Sequence, residues 1–158
     1  MYWYESHMSG IYYTDEPQEW EDLYCEQCGD SDWELGNADT FEEAFELIRD
    51  KVSVCGSGGF SMQYIFPTLC EAYGETNNFP VCDDYEYFVE ASDAEILKRI
   101  AEITGKDYGI WKCEKTYDFD GEKFVDKEHC VALSKEEALE MFRAESGELD
   151  ESSVKKIE

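Results

Sequence analysis

The sequence predicts an α+β fold, with antiparallel sheets and three or four amphipathic helices packed on one side. Three observations lead to this prediction. Capping boxes, in which a Ser or Thr is followed three residues later by Glu, begin at Thr40, Ser92 and Ser134. Apolar residues then recur at spacings of three and four. Aromatic and β-branched runs with polar turns between them occupy much of the remaining chain.

Each of the three capping boxes opens a segment with one apolar stripe and one acidic face. This pattern is typical of a helix that packs on a core. A weaker fourth helix is expected over Pro67–Tyr73, because Pro67 would lie in its first turn and Gly74 would close it.

The predicted strands are rich in aromatic and β-branched residues. They are Gly10–Thr14, Asp22–Cys25, Asp32–Leu35, Tyr85–Val89, Tyr108–Tyr117, Lys123–Val125 and Cys130–Leu133. The dipeptide Asp120-Gly121 lies between two of these runs and indicates a tight hairpin turn.

The length fits a single globular domain over residues 1–158. The glycine-rich loop Gly56–Gly59 is the expected place for any subdivision. Residues 148–158 have little apolar content, so we expect this tail to fray.

The charge is strongly one-sided. The chain has 39 Asp and Glu against 13 Lys and Arg, a net charge of −26, and residues 1–48 contain 14 acids and no Lys or Arg. A hydrophobic content of 42% with 15% aromatics nevertheless indicates a folded protein rather than a disordered acidic tail. Such a surface repels nucleic acids and anionic membranes and attracts basic partners.

We expect the protein to act in the bacterial cytoplasm. The N-terminal residues lack a basic region followed by an apolar stretch, which argues against a signal peptide, and no apolar run approaches membrane-spanning length. Seven cysteines, an odd number, point to free thiols or a metal site before disulfides.

Cys25 and Cys28, followed by Gly29, form the sharpest local motif and resemble one half of a zinc ribbon. A structural zinc site needs two further ligands, and Cys113 with His129 or Cys130 is the preferred second pair, since these residues fall on adjacent predicted strands. The alternatives are cysteines packed as small hydrophobic residues or a redox pair, the latter disfavoured by acidic neighbours. The expected cofactor is therefore none, or a structural zinc ion.

Neither histidine lies in a recognisable motif. Three interpretations of His7 stay open: a surface residue, a partner of a carboxylate, and a metal ligand. The sequence has no nucleophile elbow, no phosphate-binding Gly-Lys-Ser/Thr and no His-Glu-x-x-His. We therefore expect a protein that is not an enzyme and has no catalytic residues.

The first quarter of the chain interleaves acids with Trp and Tyr residues, a composition suited to binding a basic groove. The acids are Asp15, Glu16, Glu19, Glu21, Asp22, Glu26, Asp30, Asp32 and Glu34. The proposed aromatic anchors among them are Trp20, Tyr24 and Trp33.

In size, charge and single-domain build the chain resembles the acidic DNA-mimic inhibitors of phages and mobile elements, of the anti-restriction and anti-CRISPR kind. The resemblance implies a non-enzymatic protein that inhibits a nuclease, or another DNA-binding protein, by occupying its DNA- or PAM-reading groove. These acids, with Asp83, Asp84 and Glu86, would then replace phosphates. The alternative is a zinc-stabilised protein-interaction module of a bacterial family, built on Cys25 and Cys28.

Overall fold

The computed structural model describes residues 1–8, 10–56 and 58–157, with only the backbone of Tyr85 and Glu86. The α+β prediction is confirmed. Helices in the described residues are α1 (Trp20–Leu23), α2 (Phe41–Ile48), α3 (Met62–Tyr73), α4 (Asp93–Thr104) and α5 (Lys135–Arg143), with a 3₁₀ turn at Arg49–Lys51. The strands are β1 (Tyr2–Ser6), β2 (Gly10–Thr14), β3 (Tyr24–Cys25), β4 (Asp30–Ser31), β5 (Trp33–Asn37), β6 (Val52–Ser53), β7 (Phe60–Ser61), β8 (Val81–Cys82), β9 (Tyr85–Val89), β10 (Gly109–Phe119), β11 (Glu122–Ala132) and β12 (Glu148–Lys156).

The chain forms two compact units and passes between them three times. The first unit comprises Met1–Arg49 and Gln63–Glu90, and the second comprises Asp50–Met62 and Ala91–Glu158. The expected subdivision at residues 56–59 therefore falls inside the second unit, and Ser57 of that loop lies outside the described residues. A glycine-rich loop allows the chain to turn, but it does not by itself mark where the packing separates.

The first unit is built around an antiparallel sheet in the order β2-β1-β5. Trp3 of β1 is fully buried and donates its indole N–H to the Tyr73 hydroxyl at 2.9 Å. That hydroxyl donates in turn to the Ala38 carbonyl oxygen at 2.9 Å. Buried polar groups are thus satisfied in the core that anchors β1, the strand that leads to the candidate site.

The three predicted helix starts are confirmed. The hydroxyls of Thr40, Ser92 and Ser134 each accept a hydrogen bond from the backbone N–H three residues later, at 3.2 Å in every case. Local side-chain chemistry therefore fixes where α2, α4 and α5 begin. The weaker helix starts earlier than predicted, at Met62, so that Pro67 lies inside α3 rather than in its first turn.

The second unit contains an antiparallel sheet in the order β11-β10-β12. The two separate strands expected between residues 123 and 133 are one long strand, β11, paired with β10 over its whole length. The predicted hairpin turn is confirmed, because Asp120 and Gly121 both have positive φ, at 51° and 83°.

The expected frayed tail was wrong, since Glu148–Lys156 forms β12 and pairs with β10. The reason is packing. Val154 is buried in an apolar cluster with Cys113, Phe142 and other residues, and Leu149 packs against the same cluster. Two well-placed apolar residues hold a strand whose other side chains are polar and, apart from the half-buried Ser153, exposed.

The segment from β1 to β4 also departs from the sequence prediction. Tyr2–Ser6 forms β1, which was not predicted from the sequence. The expected strand over residues 22–25 divides equally between the end of the short helix α1 and the two-residue strand β3. Glu19 and Asp22 form a reciprocal capping box around α1. This cap favours a helical turn over the extended conformation that the aromatic content indicates.

Candidate functional site

A tight turn brings Cys25 and Cys28 together. Cys25 ends β3 and pairs with Asp30 of β4, so the residues between them form the turn of a small hairpin. The backbone N–H of Gly29 donates to the Cys25 carbonyl oxygen at 2.9 Å. Gly29 has a φ of 70°, a left-handed conformation that glycine adopts without steric cost. The sequence motif is therefore folded into a knuckle with both thiols at the same turn.

His7 reaches this knuckle because β1 pairs with β5. Glu5 lies opposite Trp33 in that pairing, which places the residue after β1 close to Asp32. The His7 backbone N–H donates to Asp32 Oδ1 at 3.0 Å, and His7 Nδ1 lies 2.5 Å from the same oxygen. Tyr12 of β2 donates its hydroxyl to Asp32 Oδ2 at 2.5 Å. Both carboxylate oxygens of Asp32 are thus occupied by protein groups.

These contacts shift the pKa values of Asp32, His7 and Tyr12. Burial alone would raise the pKa of Asp32, but the hydrogen bonds from Tyr12 and His7 hold that pKa below its usual value. The Asp32 carboxylate, and then the Cys25 thiol, raise the pKa of His7. Burial and the bond to Asp32 raise the pKa of Tyr12. Asp32 is therefore an ionised acceptor that fixes the His7 ring.

His7, Cys25 and Cys28, hereafter the His–Cys cluster, have the spacing of metal ligands. A ring nitrogen of His7 and the two sulfur atoms all lie within 4.8 Å of one another. Nδ1 is taken by Asp32, which leaves Nε2 to bind. In the described part of the chain, Nε2 is buried and has no hydrogen-bond partner, although the Cys25 sulfur is near enough to influence the pKa of the ring.

The two thiols differ in acidity. The backbone N–H of Cys28, followed by its side chain, the N–H of Gln27 and the His7 ring, lowers the pKa of Cys25 to about 7. The Cys25 thiol in turn raises the pKa of Cys28. Cys25 is thus readily available as a thiolate, the form that binds metals and reacts with electrophiles. The acidic neighbours that were expected to raise its pKa are outweighed by the backbone N–H groups of Cys28 and Gln27 and by the nearby side chains of Cys28 and His7.

The expected second pair of metal ligands was wrong. Cys113 and Cys130 are buried in the apolar cluster of the second unit. Burial raises the pKa of Cys113 to about 11, so the thiolate that zinc requires is strongly disfavoured. His129 is opposite Lys112 in the sheet, and burial, followed by Lys112 and Lys127, lowers its pKa. These cysteines are core residues, one of the alternatives raised by the sequence.

The acids and aromatic residues predicted as partner contacts between Asp15 and Glu34 are largely exposed. Trp20, Trp33 and Tyr24 have exposed fractions of 62%, 68% and 40%. The rings of Trp20 and Tyr24 stack with centroids 5.4 Å apart. We call the following exposed acids, with these three aromatics, the acidic aromatic surface: Asp15, Glu16, Glu19, Glu21, Asp22, Glu26, Asp30 and Glu34.

Four of the sequence-predicted partner residues are not part of the acidic aromatic surface. Asp32 has a side chain only 14% exposed, and it holds His7 and Tyr12, so it belongs to the site interior rather than to the acidic aromatic surface. Asp83 and Asp84 are exposed in the turn between β8 and β9. The side chain of Glu86 lies outside the described residues.

The roles of His7 and Asp32 could not be assigned from the sequence. His7 is 18 positions from Cys25, and only the β1–β5 pairing brings it close. The available signal was indirect, namely a histidine just after an aromatic, alternating run that forms β1. Comparisons with protein-family models, curated proteins and solved structures found no match. Among the described residues, no helix has the length and apolar character to cross a membrane.

Proposed function

We propose that this chain is a non-enzymatic acidic binding protein of the bacterial cytoplasm that occupies the basic nucleic-acid-binding groove of a nuclease, or of another DNA-binding protein, and inhibits it. The observation that carries the proposal is the exposure of Trp20 and Trp33 among exposed carboxylates, in a segment of 48 residues without Lys or Arg. Tryptophan is enriched in the residues that dominate binding energy at interfaces, so two exposed tryptophans among these carboxylates favour a binding role over an acidic surface that serves only solubility.

The charge of the acidic aromatic surface suits a groove that normally binds phosphates. Such grooves present Lys and Arg to a backbone with one charge about every 1.7 Å of duplex axis. Carboxylates held on a folded surface offer these cations an alternative without ordering a flexible chain. A net charge of −26 also adds long-range attraction, which speeds encounter with a basic partner and weakens as salt increases.

The aromatic side chains supply what charge alone does not. Each large aromatic residue can bury about 150–250 Å² of surface. Tryptophan, tyrosine and arginine dominate the binding energy of protein interfaces, and the stack of Trp20 on Tyr24 holds two of these rings in place before binding. We therefore assign steering and the contacts with the Lys and Arg of the groove to the acids, and additional affinity to the aromatic residues.

The test is a charge-reversal variant measured against a control of equal charge. Four acids without side-chain bonds to the rest of the described chain are changed to Lys on the acidic aromatic surface: Glu16, Glu21, Glu26 and Glu34. The control changes four exposed acids of the second unit: Glu122, Glu140, Glu145 and Glu148. Each variant has a net charge of −18 instead of −26.

Both variants are compared with the unmodified chain for capture of basic nucleic-acid-binding proteins from a bacterial lysate, after circular dichroism has confirmed folding. We expect the first variant to lose the partner and the control to retain it. Retention by both folded variants would refute the proposal, and loss by both would show that net charge alone, rather than this surface, drives binding.

A second candidate function is a zinc-stabilised protein-interaction module, and the His–Cys cluster favours it. A metal bound only by the folded chain would stabilise it. The test is the melting temperature of the reduced chain with and without one equivalent of zinc. A rise in the unmodified chain that disappears in Cys28→Ser supports a structural role, and equal melting temperatures refute it. The two functions are compatible, because Cys25 and Cys28 lie in the same stretch of chain as the acidic aromatic surface, and a metal that stabilises this turn would also hold the surface in place.

A further inference from the structure

We infer that His7 Nε2 and the sulfurs of Cys25 and Cys28 bind one zinc ion as a three-ligand site, with Asp32 and Tyr12 behind the histidine and an exchangeable ligand in the fourth position. The inference deepens the second candidate function and rests on its premise that the cluster binds metal. It is independent of the acidic aromatic surface.

The donor set favours zinc over the cations that prefer oxygen ligands. Two thiolates and one imidazole are soft or borderline ligands, whereas Mg²⁺ and Ca²⁺ take oxygen ligands. Zinc accepts Cys and His in tetrahedral geometry, and two thiolates would neutralise its charge. The many carboxylates elsewhere in the chain are not brought to this cluster as donors in the described residues.

The distances are compatible with closure around an ion. Zinc–sulfur bonds of about 2.3 Å and zinc–nitrogen bonds of about 2.0–2.1 Å place tetrahedral ligands roughly 3.5–3.8 Å apart. The three donor atoms already lie within 4.8 Å of one another. A contraction of about 1 Å completes the site, and Cys28, which is exposed on a turn, has room to move.

Asp32 has the position of an outer-sphere partner. A metal-binding histidine usually donates its second ring N–H to a carboxylate, which fixes its tautomer and orientation. Asp32 Oδ1 lies 2.5 Å from His7 Nδ1, and Oδ2 accepts from Tyr12. Because both oxygens are already used, Asp32 orients the ligand instead of binding the ion itself.

His7 Nε2 provides an independent sign that something binds there. Buried polar atoms in native proteins nearly always have a hydrogen-bond partner. Nε2 is buried without one in the described part of the chain, while the other ring nitrogen is held by Asp32. A metal ion accepts the lone pair that a neutral Nε2 presents once Nδ1 carries the proton.

The number of ligands indicates an exchangeable fourth position. Structural zinc sites normally have four protein ligands, whereas sites with three retain a position for water or an incoming ligand. Within the described residues, the group of potential ligands contains three members. Its Cys28 side is exposed to solvent, so a small donor such as imidazole can reach the ion.

The test uses Co²⁺ as a spectroscopic substitute for zinc in the full, reduced, metal-free chain. We expect one cobalt per chain, visible bands of tetrahedral intensity and sulfur-to-cobalt charge transfer, all removed by zinc. Adding imidazole should then shift the visible bands. Cys28→Ser should abolish these spectra, Asp32→Asn should weaken cobalt binding about 10–100-fold while keeping both sulfur ligands, and the exposed control Cys55→Ser should change nothing.

The outcomes test four separate claims: the exchangeable position, metal binding, the orienting role of Asp32 and stabilisation by the metal. Cobalt bound with tetrahedral bands that imidazole leaves unchanged would overturn the exchangeable position, but not metal binding. Absence of cobalt binding by the folded, reduced chain would overturn the whole site. Unchanged binding in Asp32→Asn would overturn the orienting role of Asp32. A cobalt site that forms without raising the melting temperature would refute the stabilising function while leaving the site intact.

Discussion

The buried ammonium group of Lys115 provides a direct test of the second unit. Lys115 is 1% exposed, and its Nζ lies 3.1 Å from Glu128 Oε2 and donates to the Ser146 carbonyl oxygen at 3.1 Å. Tyr117 donates its hydroxyl to the other carboxylate oxygen of Glu128. Glu128→Gln removes the negative charge while keeping the shape of the side chain, so the buried cation loses its counterion.

The expected loss of unfolding free energy follows from these contacts. Breaking a fully buried ion pair costs about 3–5 kcal/mol. The Glu128 side chain is 22% exposed, and Gln still offers an oxygen, so we expect a smaller loss than for a fully buried pair, about 2–3 kcal/mol. At about 2–4 °C per kcal/mol for a chain of this size, the melting temperature should fall by roughly 4–12 °C.

Differential scanning calorimetry at pH 7 measures this change, with Glu122→Gln as the control because Glu122 lies exposed on the same strand. The control should remain within about 0.5 kcal/mol of the unmodified chain. A second variant, Lys115→Met combined with Glu128→Gln, removes the buried cation as well and should recover part of the loss. A melting temperature that Glu128→Gln leaves unchanged would refute the assignment of Lys115 as a buried, paired cation.

Three further predictions concern other parts of the chain. In an NMR titration of the metal-free protein, the pKa of His7 should lie above the ordinary value of 6.5 and the pKa of His129 below it; the reverse order would contradict both environments. Because the unfolded chain protonates His129 more readily than the folded chain does, the stability that neutral His129 contributes is lost as the pH falls below 6.5. A thiol reagent at pH 8 should modify the exposed Cys28 in the folded chain but modify the buried Cys113, whose pKa is about 11, only after unfolding. Mass spectrometry of labelled peptides measures this order, and labelling of Cys113 in the folded chain would contradict its burial. Gly59→Ala should destabilise the chain by about 1–3 kcal/mol in urea unfolding, because its φ is 135° and an added Cβ would lie 2.6 Å from a backbone carbonyl oxygen; equal midpoints would rule out this close approach.

The elements that the sequence predicted well are those with local causes. The caps at Thr40, Ser92 and Ser134 act within one helical turn, and the Asp120-Gly121 turn needs only two positive φ values. No distant residue has to be known for these structures to form.

The elements that the sequence analysis missed depend on distant partners. The strand β12 is held by Val154 and Leu149 against the apolar cluster of the second unit, and neither residue stands out in an acidic, serine-containing tail. The strand β1 is stabilised by pairing with β2 and β5 and by the burial of Trp3. Packing of this kind overrides local composition.

The candidate site shows the same division. Cys25 and Cys28 were found from their spacing, because a tight knuckle is a local structure. A carboxylate partner or a metal was among the interpretations of His7, but the sequence did not connect His7 with this knuckle, because that contact depends on β1–β5 pairing. Asp32 was grouped with its acidic neighbours by composition. Charge composition predicts an acidic surface, but it does not distinguish a carboxylate that faces solvent from one that orients a histidine.

The most direct test of the proposed function is competition between DNA and this chain for one partner. The chain is immobilised, incubated with bacterial lysate and washed, and duplex DNA or about 0.5 M salt is then added. We expect a basic nucleic-acid-binding protein to be captured and both additions to release it. A partner that duplex DNA leaves bound, or the absence of any captured nucleic-acid-binding protein, would contradict the proposed function.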